Sequence, residues 1–70
     1  MFGTVKWFNE TKGYGFINPD GESRDVFIYI SAVTKAGLHT LMPDQRVSFD
    51  IAPGKKGEQA VNIAVVHGGR

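Results

Sequence analysis

Two short segments, Lys12-Gly13-Tyr14-Gly15-Phe16-Ile17 and Asp25-Val26-Phe27-Ile28-Tyr29-Ile30, constrain the fold of this 70-residue chain more than any other feature. Read as β-strands, their side chains alternate between two faces. Tyr14 and Phe16 then share one face, while Gly15 and Ile17 take the other. Likewise Phe27 and Tyr29 share a face opposite Val26, Ile28 and Ile30. Strands that are apolar on both faces normally belong to a sheet covered on two sides. A chain this short, with no good helix, has nothing to supply the second cover. One face must stay open to water. The branched aliphatics form the natural core, which leaves the aromatic rings outside.

Turn signals divide the rest of the chain. Asn18-Pro19-Asp20-Gly21, Met42-Pro43-Asp44 and Pro53-Gly54-Lys55-Lys56-Gly57 carry the residues that pre-set turn geometry. Between them lie five predicted strands, near residues 3–9, 14–18, 25–30, 45–52 and 58–67. Val47, Phe49 and Ile51 alternate inward on the fourth, and Val61, Ile63 and Val65 on the fifth. Residues 31–44 lack period two and read as a loop with a short helical turn. In the first strand, strict alternation sets Val5 on the same face as Trp7, so one of them would be misplaced; a bulge between them re-aims the side chains. Five short antiparallel strands with glycine-rich turns favour a closed barrel, which removes exposed edges. The fold class is thus all-β, a five-stranded antiparallel OB-fold barrel, in one domain spanning residues 1–70.

A domain of this size buries only about 60% of the surface of its unfolded chain, so its stability is expected to be modest. With no cysteine, disulfides and thiolate metal sites are excluded and nothing points to an oxidising compartment. Gly3, Thr4 and Lys6 break the first apolar stretch too early for a signal peptide, and no apolar run approaches a membrane span. A soluble, cytoplasmic protein without membrane association is expected. Net charge is only +1, so placement matters more than the total. Lys6, Lys12, Lys55 and Lys56 lie beside or opposite the aromatic strands, whereas Asp44 and Asp50 belong elsewhere. Flat rings flanked by lysines suit stacking on unpaired nucleic-acid bases, with phosphates tracked by the cations.

At these residues the chain resembles the bacterial cold-shock proteins. Gly3-Thr4-Val5-Lys6-Trp7-Phe8-Asn9 is similar to the family's opening, and Lys12 to Ile17 to its first ribonucleoprotein motif, with tyrosine where phenylalanine is commoner. Asp25-Val26-Phe27-Ile28 resembles the second motif, and the likeness continues through Ser31-Ala32, Val47-Ser48-Phe49 and Gln59-Ala60. The resemblance implies an OB-fold domain that binds single-stranded RNA and single-stranded DNA, melts weak RNA hairpins and aids transcription and translation, often at low temperature. It implies ligand contacts at Lys6, Trp7, Phe8, Lys12, Tyr14, Phe16, Phe27, Tyr29, Ile30 and Lys56, with Asp25 as a hydrogen-bonding partner. Three positions depart from the pattern. Tyr29 stands where the family has histidine, and Ile30 and Leu38 stand where it has aromatics. The last two remove flat surfaces at the outer ends of the binding track.

Other readings of the same residues exist. The four strand rings could form a second core under the long loop, but Leu38 and Leu41 are too few to cover them. Phe8 fits the ligand face and the barrel interior equally well. Gly13 and Gly15 are explained by strand bending, and Lys55 and Lys56 could be mere hairpin-tip solvation. An enzyme is not expected: His39 and His67 are isolated, and Lys12-Gly13-Tyr14-Gly15 lacks the spacing and hydroxyl of a phosphate loop. Asp20, Glu22 and Asp25 suit turn geometry better than a cation site. No cofactor, metal or obligate protein partner is expected, and the default assembly is a monomer. The rival function is a small barrel that receives a proline-rich peptide, but such sites pair aromatics with acids, and here lysines flank the rings.

Overall fold

Alternation along the strands decides which side chains meet in the interior. The structure is a computed structural model that describes residues 1–54 and 57–66. Its elements are β1 (Phe2–Asn9), β2 (Tyr14–Pro19), β3 (Val26–Tyr29), α1 (Ile30–Lys35), β4 (Arg46–Gly54) and β5 (Gly57–Val65). Val5 from β1, Ile17 from β2, Ile28 from β3, Val33 from α1 and Val47 from β4 are completely buried. Phe49, Val26, Leu41, Ala60 and Ile63 complete the core. Each of the large side chains stabilises the fold by about 1.5–3 kcal/mol through burial. The aliphatic face of the two aromatic strands is therefore the core face, as their alternation requires.

The sheet closes into a barrel in the order β1-β2-β3-β5-β4. Four pairings are antiparallel, and closure comes from a parallel contact between β3 and β5 in which Phe27 stands opposite Gln59. Two bulges shape the strands. On β1, Val5 faces Ile17 and Trp7 faces Phe16, so Lys6 is the additional residue and Trp7 turns outward while Val5 stays in the core. On β5, Ala64 faces Ser48 and Val61 faces Asp50, which leaves one extra residue in β5. Asn62 absorbs it at φ 53°, a left-handed conformation that asparagine tolerates better than most residues. The expected inward set of β5 is corrected accordingly: Ala60 and Ile63 are buried, while Val61 and Val65 are only half-buried.

The helical turn expected within residues 31–44 is α1, and it begins earlier. Ile30 is its first residue and not the end of a strand. Its amide donates to the Gly13 carbonyl at 2.8 Å, and its side chain packs against the edge of the core. Helix α1 ends in a paired cap: Gly37, at φ 82°, and Leu38 donate back to the carbonyls of Thr34 and Val33 at 2.9 and 3.0 Å. Only glycine takes that backbone conformation without strain. Leu38 and Leu41 then pack on the core, so the long loop closes the barrel and does not cover the rings. No helix among the described residues is long and apolar enough to cross a membrane.

Candidate nucleic-acid interface

Cross-strand register assembles the outer face. Trp7 lies opposite Phe16, Phe16 opposite Phe27, and Tyr14 opposite Tyr29. Strand neighbours of this kind touch, and the five rings form one connected surface. Ring centroids are 5.3 Å apart for Trp7 and Phe16, 5.7 Å for Trp7 and Tyr14, and 5.0 Å for Phe16 and Phe27. Phe27 also meets Tyr29 edge-on at 4.8 Å and Tyr14 in a stacked contact at 5.2 Å. Trp7 is 38% exposed and the other four rings are half-buried. Each aromatic pair contributes about 0.5–1.5 kcal/mol beyond its area, so the rings hold one another in place while remaining accessible. An ordered platform has less entropy to lose when a ligand binds.

Gly15 makes this close approach possible. It is buried between Tyr14 and Phe16, and a Cβ there would run into the Trp7 carbonyl oxygen and come within 2.7 Å of the Phe8 Cα. Phe8 lies opposite Gly15, half-buried against the core, on the barrel side of β1. Phe8 thus packs against the core while part of its ring stays accessible. Ile30, also among the implied contacts, is half-buried against the core and against Gly13. Its loss of aromaticity therefore coincides with a packing role.

Among the cations, Lys6 projects from the β1 bulge, and its Nζ lies 3.0 Å from Asp25 Oδ2. Asn18 Nδ2 donates to Asp25 Oδ1 at 3.3 Å and also reaches the carbonyls of Glu22 and Arg24 at 3.2 and 3.1 Å. Asn18 thus fixes the β2–β3 turn and the carboxylate beside the rings. Sequence reasoning missed this role; the Asn-Pro-Asp-Gly signal marked a turn but not its clamp. Lys12 is exposed in the β1–β2 connection, where its amide donates to Asn9 Oδ1 at 2.8 Å. Lys55 and Lys56 lie outside the described residues, as does His67.

Both arginines among the described residues, Arg24 and Arg46, are engaged within the fold. Arg46 grips Asp20 through two hydrogen bonds of 2.6 and 2.8 Å, and this contact holds the Asp20 carboxyl below its usual pKa and raises that of Arg46. Arg24 pairs with Glu22 at 2.8 Å and with Glu58, which raise its pKa, the Glu22 hydrogen bond most. The acids of the β2–β3 turn thus each take a basic partner, Asp20 with Arg46, Glu22 with Arg24 and Asp25 with Lys6. They do not converge on one point, and no group of metal-ligating side chains occurs among the described residues.

Residues 1–66 match the 'Cold-shock' DNA-binding domain family. The chain is 48% identical over 66 residues to the cold shock-like protein CspA of Vibrio cholerae, covering 94% of each. It is 52% identical over 61 residues to the cold shock-like protein CspE of Escherichia coli K12, covering 87% of this chain and 88% of the other. It is also 52% identical over 64 residues to the cold shock-like protein CspC of Shigella flexneri, at 91% and 93% coverage.

Proposed function

Since the chain belongs to the cold-shock domain family, whose members are nucleic-acid binders and not enzymes, we propose that it is a cytoplasmic chaperone of single-stranded RNA and DNA, acting as a one-domain monomer. The observation that carries this reading is the connected, accessible surface of Trp7, Tyr14, Phe16, Phe27 and Tyr29. Unpaired bases stack on such rings at about 1–3 kcal/mol per base, and every base has a π-face, so sequence selectivity is weak. Stacking does not require the 2′-hydroxyl, so RNA and DNA both bind. Duplexes bind poorly because their bases already stack on one another. By trapping unpaired strands the protein melts weak hairpins and so aids transcription and translation, most usefully at low temperature, where hairpins persist.

Each contact has a distinct task. The rings carry affinity. Lys6, Lys12 and Lys56 neutralise phosphates, and Asp25 accepts a hydrogen bond from a base at the edge of the platform. Phe8 and Ile30 support the platform from its rim. Trp7 fluorescence provides the test. Quenching by oligo-dT and oligo-U, with little response to a blunt duplex, is the expected outcome. Quenching by a proline-rich peptide but not by oligo-dT would replace this reading with the peptide-binding one.

A further inference from the structure

The barrel has one weak seam. Strands β3 and β5 share a single register pair among the described residues, Phe27 with Gln59, because the chain leaves β3 after Tyr29 and turns directly into α1. Where helix α1 meets β5 there are two adjoining recesses of about 220 and 290 Å³ that share Ala32, Lys35 and Asn62. Tyr29 lines the first of them, and its ring is 4.8 Å from Phe27. The groove is therefore continuous with the ring platform.

The lining chemistry is specific. Among the described residues no carboxylate lines either recess, and Lys35 is exposed with no ion-pair partner. Asn62 brings a side-chain amide, a group that donates and accepts and so matches the edge of an unstacked base. Asn62 Nδ2 is held by Asp50 at 3.0 Å, which fixes the amide in place. Pockets for drug-sized ligands run to about 300–1,000 Å³; the first recess is smaller and fits a single base or its phosphate.

We infer that a bound single strand does not end at Tyr29 but continues into the groove between α1 and β5. There Lys35 neutralises a phosphate, and the amide of Asn62 hydrogen-bonds a base edge. This inference rests on the platform reading above and lengthens its track beyond Tyr29.

The test titrates wild type, Lys35→Gln, Asn62→Gly and Phe27→Ala with four- and ten-nucleotide oligo-dT over a range of KCl, with thermal unfolding as a check on the fold. Glycine at position 62 keeps the left-handed backbone while removing the amide. Lys35→Gln is expected to weaken only the longer strand, by about fivefold at 0.1 M salt, and to make its log–log salt slope shallower by about 0.7. Asn62→Gly is expected to weaken the longer strand with no change of slope. Phe27→Ala is expected to weaken both strands. Unchanged affinity and slope for Lys35→Gln, with Phe27→Ala still impaired, would overturn the groove and leave the platform standing. Full binding by Phe27→Ala would overturn the platform and the groove together.

Discussion

Lys6 Nζ and Asp25 Oδ2 are 3.0 Å apart at the rim of the ring platform. On the proposed reading, this carboxylate competes with a strand phosphate for Lys6. The pair is open to water, with side chains 60% and 26% exposed, and exposed pairs of this kind contribute only about 0–1 kcal/mol. Exchange for a phosphate therefore costs little. Asp25→Asn keeps an oxygen that can accept the base hydrogen bond while removing the charge that holds Lys6. It is expected to leave thermal stability almost unchanged, to tighten oligo-dT at low salt, and to steepen the salt slope by up to about 0.7. A slope and affinity identical to wild type would show that Asp25 does not compete with phosphate for Lys6.

Rings and aliphatics of the same strands should separate binding from stability. Phe16→Ala and Phe27→Ala are each expected to cost about 1–3 kcal/mol of single-strand affinity while the protein stays folded. Ile28 is completely buried, and Ile28→Ala is expected to cost about 2–5 kcal/mol of stability. Parallel denaturation and binding curves check both halves; unfolded phenylalanine variants would mean that the rings are core.

Gly15→Ala tests the close approach of β1 and β2. The added methyl would meet the Trp7 carbonyl and the Phe8 backbone, where little can move. Overpacking of this kind costs about 1–3 kcal/mol. Urea unfolding should show a lower midpoint, and Trp7 emission should shift because the strand carrying it is displaced.

Acid should weaken the Asp20–Arg46 clamp. The folded-state pKa of Asp20 lies below its ordinary value because Arg46 hydrogen-bonds it. Its contribution is therefore complete above the unfolded pKa, about 3.9, and is lost as pH falls through the folded value. Asp20→Asn is expected to lower the melting temperature slightly at neutral pH and to flatten the stability profile below about pH 4. Both residues are exposed, so the effect is small. A wild-type and a variant profile that stay parallel down to pH 2 would contradict the clamp.

How much was legible in the sequence follows from which interactions are local. Period-two alternation of branched and aromatic side chains was enough to assign both faces of β2 and β3, because each assignment needs only neighbouring residues. The conflict between Val5 and Trp7 demanded a bulge, and Lys6 fills it. By contrast, Ile30 continues the strand pattern by type, and only its hydrogen bond to Gly13, across a turn, shows that the chain has entered α1. The bulge at Asn62 was hidden because Val61, Ile63 and Val65 mimic a regular strand. Closure by Phe27 and Gln59, and the Asn18 clamp on Asp25, depend on contacts between elements that no local pattern encodes.

The central claim is that stacking, not charge, carries affinity, and a KCl titration of oligo-dT binding tests it most directly. If all five lysines, Lys6, Lys12, Lys35, Lys55 and Lys56, neutralised phosphates, the log–log slope would approach about −3.5, at about −0.7 for each. Stacking-dominated binding gives a slope between about −1 and −2 with substantial affinity left at high salt, and Phe16→Ala lowers affinity at every salt concentration without changing that slope. A slope approaching about −3.5, with Phe16→Ala binding as wild type does, would contradict it.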